Sequence, residues 1–526
     1  MYKVLIASAG LGTRLGDLGK NINKALVSVA NKPVISHVIE KFPKNIEIVV
    51  AVGHKGELLK DYLNIAHSDR KFTFVEVEHY YGSKSGLGYT ILQCEEHLQC
   101  PFVFTPNDTL ILEDVPEPYE NWMGFSEVEN TDQYRSIAFD GKQVINKIYE
   151  KEDDLKGQPY IGLSGIKDYK LFWELMNKGV DNGSIIIGES YSLREMISHG
   201  TQISAKKFTW YDTGTIKNLQ KARKFFERKN DPNILEKQNE AIWFVNNKVI
   251  KYHSDTNFIS NRVKRVEVLK SYVPDIVDHK ENLYSYNKIS GETVSKVASI
   301  PVFKNLLNYL TDFWQIKDLS KTQYKEFTKV CDKFYKEKTF KRVRLYLDKF
   351  SELDTSEIVN GVKIPPVLEL LDSVPWDELS NGIPSRMHGD LHFENIIMSQ
   401  TGNFCLIDWR QDFGGLNEYG DLYYDLAKLL HGLIVSHELI NNDCYNVTQV
   451  ADVVTYELHR KQSLIKNEKY FYDFLNSNNY DVKKVKILTA LIFLNIAPLH
   501  HFPYCKMLFY LGKESLFDIL KEQDDT

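Results

Sequence analysis

The sequence predicts two domains of different class: an α/β domain on a parallel sheet over residues 1–229, and an α+β domain, largely helical, over residues 230–526. Three observations predict this. The chain has 526 residues, more than one ordinary core organises. Near-continuous apolar runs alternate with segments of helical period through the first part, the mark of a parallel sheet covered by helices. After "KARKFFERK" the alternation stops and the chain turns polar through "NDPNILEKQNE", which carries an Asp-Pro step.

The elements follow in order. "KVLIASAG" (3–10) is a buried strand ending in glycine, and "NKPVISHVIEKF" (31–42) a helix with Pro33 in its first turn. "IEIVVAVG" is a second strand, "KGELLKDYLNIA" a helix, "FTFVEVE" a strand, "GLGYTILQCEEHL" a helix, and "PFVFTPND" a strand ending in an acid. Beyond the boundary, "NILEKQ", "AIWFV" and "KVIKY" read as an antiparallel meander with turns at Asn239-Glu240 and Asn246-Asn247. The helix "NRVKRVEVLKSY" follows, giving a small lobe over about 233–298. From about Ser299 onward the chain is expected to be mainly helical, apart from Met387–Asp412.

Bulk properties exclude several classes. Hydrophobic content is 43% and charged content 26%, as in globular chains. A net charge of -6 argues against a nucleic-acid or anionic-membrane binder. The six cysteines are scattered without a C-x-x-C pair, which reads as reduced thiols in a cytoplasmic protein. No apolar run reaches the length of a membrane span, and the chain opens in a strand rather than a signal peptide. "VKILTALIFLNIAPLHHF" comes nearest, and Lys486 makes it a buried helix instead.

Ligands on parallel sheets bind at the carboxyl ends of strands. There, Gly10 and Gly12 in "SAGLGTRLG" bring backbone N–H groups to phosphate oxygens, Arg14 offers a forked donor, and Lys24 a second cation. Such cations would act on charge that builds during transfer of a nucleotidyl group. Asp108 in "PND" and Asp212 in "WYDTGT" are two acids able to hold Mg2+, although each is also a natural turn-capping aspartate.

Residues 1–228 resemble the sugar-nucleotide pyrophosphorylase type of nucleotidyltransferase. "GLGTR" matches its signature fully, and "NKAL" matches with Asn23 where the family has proline. The resemblance implies a Rossmann-like nucleotidyltransferase domain. Arg14 and Lys24 would be catalytic, Gly10, Gly12 and Gly86 (in "GSKSGLGYTI") would bind nucleotide, and Asp108 and Asp212 would hold the metal. Glu150 and Lys151 of "YEK" and Gly165 of "YIGLSGI" would hold the phosphorylated acceptor.

In the second part, "MHGDLHFENIIM" and "CLIDWRQDFGG" place Asp390, Asn395 and Asp408 in the order of a phosphotransferase catalytic loop. One Asp takes the hydroxyl proton, while the Asn and the second Asp hold Mg2+. Residues 233–526 resemble the aminoglycoside phosphotransferase and choline kinase superfamily, which implies a bilobal, protein-kinase-like domain. Lys251 on a strand and Glu267 on the next helix are the expected nucleotide-side ion pair, and Arg410 the acceptor-side cation. No G-x-G-x-x-G loop is present; "EKQNEA" is the turn available to cover phosphates. His388 reads as a residue packing the loop, His392 and Glu394 as facing solvent or substrate, Asp425 as a brace, and "DFGG" as a decoy.

The resemblances together imply a bifunctional enzyme with ATP, a second NTP (CTP, UTP, GTP or dTTP), a small hydroxylated metabolite and its phosphate as partners. The product would be an NDP-activated donor of the sort used for surface polysaccharide. A sugar, polyol or sugar acid is favoured as substrate. A choline or ethanolamine kinase fused to a cytidylyltransferase, and a nucleotidyltransferase with a noncatalytic kinase-like module, remain open.

Overall fold

The computed structural model describes residues 2–128, 133–151, 153, 157–228 and 237–522. By packing, the chain forms two compact units: Met1–Thr256 with Val277–Lys288, and Asn257–Ile276 with Ile289–Thr526.

The first unit is a mixed sheet covered by helices. Four parallel strands lie in the order Phe72–Glu76, Ile48–Val52, Lys3–Ser8 and Phe102–Pro106. Their apolar runs exist because both faces are covered: Val4, Leu5, Ile6, Val49 and Val50 are all 0% exposed. Chain order reverses between Lys3–Ser8 and Phe102–Pro106, so a crevice opens at the carboxyl ends of these two strands. Gln158–Ile166 extends the sheet antiparallel beside Phe102–Pro106. A separate two-stranded ladder pairs Thr109–Ile111 with Trp210–Asp212.

The expected hairpin after the boundary forms, with Glu240–Val245 antiparallel to Lys248–His253. Asn246 and Asn247 turn it with φ of 48° and 63°, the left-handed conformation that asparagine tolerates. The strand expected over 233–238 falls almost wholly outside the described residues, as does Glu236 of the "EKQNEA" turn. The hairpin belongs to a four-stranded sheet with Leu283–Asn287 and Ile276–His279. Its packing partner is the first unit. Trp243 is 0% exposed, with its ring 5.1 Å from Tyr62, and its Nε1 donates to Ser28 Oγ at 3.0 Å. Phe244 N donates to Asn31 O at 2.9 Å, Lys248 Nζ to Ile65 O at 2.7 Å, and Tyr252 OH to Asn21 O at 2.8 Å. The strands Glu240–Val245, Lys248–His253 and Leu283–Asn287 of the sequence-predicted small lobe thus share the unit of the parallel sheet, whereas Asn257–Ile276, which carries its helix, belongs to the second unit.

The second unit is helical around Leu422–Ile434, Val482–Ile496 and Tyr504–Lys521, whose apolar residues are buried on nearly every side. One expectation needs correction. Between its helices this unit carries a four-stranded sheet of Val362–Ile364, Glu357–Val359, Val453–Leu458 and Tyr445–Val450. Its period-2 pattern, half-exposed and weakly apolar, was present in "YNVTQV" and "VVTYEL" but was overridden by the helical surroundings. Glu357 anchors the sheet by accepting from Tyr510 OH at 2.8 Å and pairing with buried Lys513. No described helix is long and apolar enough to cross a membrane.

Truncating Trp243 to alanine removes a fully buried indole from the core of the first unit. The expected cost is ~3–5 kcal/mol, read as a fall in the denaturation midpoint of that unit. A change below ~1 kcal/mol would mean that the sheet is a passive appendage.

Candidate active sites

The first site lies at the switch point. Gly12 has φ of 69°, and a Cβ added there would come 2.8 Å from Lys24 Cβ, so glycine is what lets the lysine stem cross the loop. A Cβ at Gly10 would meet nothing within 4 Å, leaving its backbone facing open space. Asn23 explains its place before Lys24. It is 0% exposed, its Nδ2 donates to Ser8 O at 3.0 Å and His54 O at 2.7 Å, and its Oδ1 accepts from Ala25 N at 2.9 Å. The lysine segment is therefore tied to the ends of two sheet strands.

Strand pairing sets the acids side by side, because Thr109 is registered with Asp212 and Thr213 N donates to Asp108 O at 3.0 Å. Lys24 Nζ lies 3.1 Å from Asp108 Oδ2. The convergence shows best at Gly214: a Cβ there would sit 3.0 Å from Asp212 Oδ1, 3.2 Å from Asp108 Oδ2 and 3.3 Å from Arg14 Nη2. Burial works to raise the Asp108 carboxyl, and Lys24 and Arg14 outweigh it, so the group is held below its ordinary value. Asp212 is fixed by Gly214 N at 2.8 Å, Asn218 Nδ2 at 2.6 Å and Tyr134 OH at 3.0 Å. Ser8 Oγ and both side-chain polar atoms of Asn107 are buried without a partner among the described residues. Paired carboxylates beside orphaned polar atoms fit a divalent cation with an oxygen-rich ligand.

The acceptor-side residues scatter. Glu150 accepts from Arg135 Nε at 2.6 Å and also pairs with Arg194. Lys151 is exposed in the turn that follows. Gly165 does not join them. It is registered with Val103, at the amino end of Phe102–Pro106, and a Cβ would strike Trp122 Nε1 at 2.1 Å. Gly162, with φ of 77° and packed on Pro106, is the glycine at the crevice end of that strand. Gly86 has a packing reason: a Cβ there would lie 2.2 Å from Ile185 O, so it admits a close backbone approach. Nearby, Glu189 is 2% exposed, with Tyr160 OH donating to Oε1 at 2.9 Å and Oε2 without a partner. Burial pushes its carboxyl up to about 7, against the nearby Arg135.

The second site lies wholly in the second unit. Asp390 Oδ1 is 2.8 Å from Lys428 Nζ. Burial acts to raise this carboxyl, and Lys428 with His392 holds it well below its ordinary range. Asn395 Nδ2 donates to Asp390 O at 2.9 Å and Oδ2 at 3.2 Å, which turns its amide oxygen away, free to ligate. Asp408 has φ of 62°, a conformation that costs ~1–3 kcal/mol for a residue other than glycine. Its Oδ1 pairs with Arg262 Nη1 at 2.6 Å. A guanidinium is thus already engaged with the carboxylate expected to hold a cation.

The loop is clamped from two helices. Asp425 accepts from His388 N at 2.8 Å, Gly389 N at 2.7 Å and Trp314 Nε1 at 3.2 Å, so it braces the loop. Arg265, 1% exposed, donates to the carbonyls of Met387 and Arg410, on either side of the motif. His388 packs the loop: Nε2 donates to Ile407 O at 2.9 Å and Nδ1 accepts from Asp390 N at 3.2 Å. Burial lowers its pKa to about 3, so it stays neutral. Asp412 of "DFGG" accepts from Gly415 N at 3.0 Å and so caps its own turn. Arg410 lies over the Phe334 ring at 5.0 Å.

The expected Lys251–Glu267 ion pair is not borne by the geometry of Glu267, which is exposed and has no ion pair among the described residues. The basic residues on its helix, Arg262 and Arg265, do the work instead. These two and Lys428 were missed in the sequence. The signal was spacing: Arg262 and Arg265, like Asp425 and Lys428, are three apart and share a helix face.

Comparison with known proteins finds a different family at each site. The Nucleotidyl transferase family matches residues 3–229, and the Phosphotransferase enzyme family matches residues 361–440. "Bifunctional protein GlmU" of Methanococcus vannielii is 26% identical over 242 residues, covering 44% of this chain and 56% of that protein. "UTP--glucose-1-phosphate uridylyltransferase AglF" of Haloferax volcanii is 27% identical over 111 residues, covering 20% of this chain and 44% of that one. The chain spans about half the length of the curated relatives it matches. Among solved structures, UDP-glucose pyrophosphorylase complexed with UDP-glucose is similar at 21% identity and a TM-score of 0.37, covering 43% of this chain and 98% of that one. The phosphocholine cytidylyltransferase LicC from Streptococcus pneumoniae is similar at 18% identity and a TM-score of 0.36, covering 43% and 100%.

Glu189 generates a pH prediction. A carboxyl raised in the folded state keeps its proton where the unfolded chain, at 4.5, has lost it. Its stabilising contribution is full below 4.5 and is lost as pH rises through about 7. Glu189→Gln should therefore match wild type at acid pH and exceed it by up to ~3 kcal/mol above neutrality, read by thermal unfolding at several pH values. Parallel stability curves for the two proteins would show that folding leaves the Glu189 carboxyl at its ordinary value.

Proposed function

We propose that this chain, which joins a nucleotidyl transferase domain to a phosphotransferase-family domain, is a bifunctional enzyme that phosphorylates a small metabolite and then activates it with a nucleotide. In the first step the substrate hydroxyl oxygen attacks the γ-phosphorus of ATP, the bond to ADP breaks, and Asp390 takes the hydroxyl proton. In the second, an oxygen of the phosphorylated acceptor attacks the α-phosphorus of an NTP, and pyrophosphate leaves. The product is an NDP-linked donor of the kind consumed in surface polysaccharide synthesis. The observation that carries this reading is the pair of assembled constellations: Arg14, Lys24, Asp108 and Asp212 around Gly214, and Asp390, Asn395 and Asp408 on a clamped loop.

The residues have distinct tasks. Arg14 and Lys24 would neutralise charge on the α-phosphate and leaving pyrophosphate, and the backbone at Gly10 and Gly12 would face the phosphates. Asp390 is kept ionised by Lys428 and so is ready as a proton acceptor. Mg2+ would be held by Asp108 and Asp212 in one site and by Asn395 and Asp408 in the other, supplying charge neutralisation on the phosphates.

Two substitutions separate the activities. Asp108→Asn should lower pyrophosphate release about a hundredfold or more, a loss of ~3 kcal/mol in the transition state, while ATP-dependent phosphorylation stays at the wild-type rate. Gly214→Ala should act in the same direction, since its methyl group would crowd Asp212, Asp108 and Arg14. Near-normal nucleotidyl transfer in both would return these residues to turn-capping.

In the second site, Asp390→Asn should abolish ADP release while calorimetric ATP binding persists. Asp408→Asn should weaken binding of Mg·ATP as well as turnover, since it removes a metal-side carboxylate. Full phosphorylation by Asp390→Asn would remove the catalytic-loop assignment.

A further inference from the structure

Around the loop of Asp390 the second unit gathers more positive charge than its own acids answer. Lys428 is paired with Asp390 at 2.8 Å. Lys338 Nζ stands 4.3 Å from the centre of the Phe334 ring and 5.6 Å from that of Tyr424. Arg410 lies over the same Phe334 ring at 5.0 Å, its Nε donating only to Asp412 O. Arg342, one helical turn from Lys338, is half-buried and feels Arg410. Among the described residues, none of Lys338, Arg342 and Arg410 has a carboxylate within ion-pair reach.

The electrostatics agree. Burial, then Arg410 and Lys428, lowers the Lys338 ammonium to about 8 despite the favourable Tyr424 hydroxyl. Burial acts to raise Tyr424, yet Lys338, Lys428 and Arg410 pull its hydroxyl below the ordinary value. Partly buried cations that repel one another cost free energy unless an anion joins them. Tyr424 and Phe334 supply flat walls, but a quaternary or primary ammonium placed between them would meet three like charges. The aromatic residues here are a platform under Lys338 and Arg410, not a cage for a cation.

We propose that the metabolite phosphorylated at Asp390 is itself an anion, a hydroxy acid or a phosphorylated polyol, whose carboxylate or phosphate rests on Lys338 and Arg410 with Arg342 behind. This deepens the phosphotransferase reading and rests on it. Arg410 had been expected at the acceptor, and Lys338 and Arg342 are assigned here from packing. The ammonium and guanidinium fix the charged end of the substrate while its hydroxyl reaches the carboxylate of Asp390. Choline and ethanolamine are excluded by the same charges.

The test is ADP release by the full chain with Mg·ATP and matched acceptors: alditols, the corresponding aldonic acids, alditol phosphates, and amino alcohols. ATP binding is measured alongside by calorimetry. The expected result is turnover of members of the acid or phosphate sets, with kcat/KM at least about tenfold above their neutral counterparts and none with amino alcohols. The two anionic sets tell carboxylate from phosphate. Lys338→Met should raise the KM for the anionic acceptor about tenfold and leave the KM for ATP unchanged, and Lys338→Arg should recover most of it. Equal or better turnover of neutral or cationic acceptors overturns the inference. So does a Lys338→Met defect confined to ATP, or normal ATP binding with no anionic acceptor turned over. Absence of both ATP binding and ADP release sinks the phosphotransferase reading itself, and this inference with it.

Discussion

The attraction between a carboxylate and a cation fixed on a different element is what both candidate sites depend on. Asp108 is reached by Lys24 from a loop 84 residues away in sequence, Asp390 by Lys428 from a helix, and Asp408 by Arg262 from another. Asp108 and Asp390 sit where burial alone would favour their neutral form. The partner cation reverses that preference, so the acid stays ionised and available to bind a cation or take a proton. The same pairs tie together segments that share no sheet or helix, which makes site geometry and local fold one constraint.

The two sites reach similar chemistry by different architecture. In the first unit, a parallel sheet supplies the frame: strand ends point at the crevice, and the ladder between Thr109–Ile111 and Trp210–Asp212 sets the second acid beside the first. Backbone hydrogen bonds therefore do most of the positioning. In the second unit, the motif lies on a loop with little regular structure, and side chains take over. Asp425 holds two loop amides and Arg265 two loop carbonyls, satisfying backbone groups that no ladder pairs. A loop of this kind is held in place by two buried charged residues, which is why its neighbours, rather than the motif itself, decide its shape.

Much was legible along the chain because the signals were local. Apolar runs of strand length, glycine at Gly12, and the order of Asp390, Asn395 and Asp408 each reflect a requirement met within a few residues. Less legible were features whose cause lies across the fold. Gly165 looked like a binding glycine, yet its lack of a side chain makes room for Trp122. Gly86 likewise admits the backbone of Ile185. Glu267 had a plausible place on its helix and is exposed, while Arg262 and Arg265 on the same helix carry the contacts. The sheet of Glu357–Val359 and its partners was lost because its strands are short or half exposed, and the pairing that joins its two hairpins, Glu357–Val359 with Val453–Leu458, is distant in sequence.

By itself, then, the sequence determined most element types and the division of chemistry between the two halves, since periodicity, turn chemistry and motif spacing are set by neighbours in the chain. The tertiary structure decided which cation answers which acid, which glycines are there for packing, and that the sheet of Glu240–Val245 shares a core with the parallel strands. It also decided that Lys338 and Arg410 lie over one ring, Phe334, with Arg410 packed on the loop of Asp390. These are matters of through-space distance and burial. A charge's worth depends on what lies within a few ångströms of it, and no local pattern in "KTFKRVRLYL" states that its Lys and Arg will face a loop fifty residues further on.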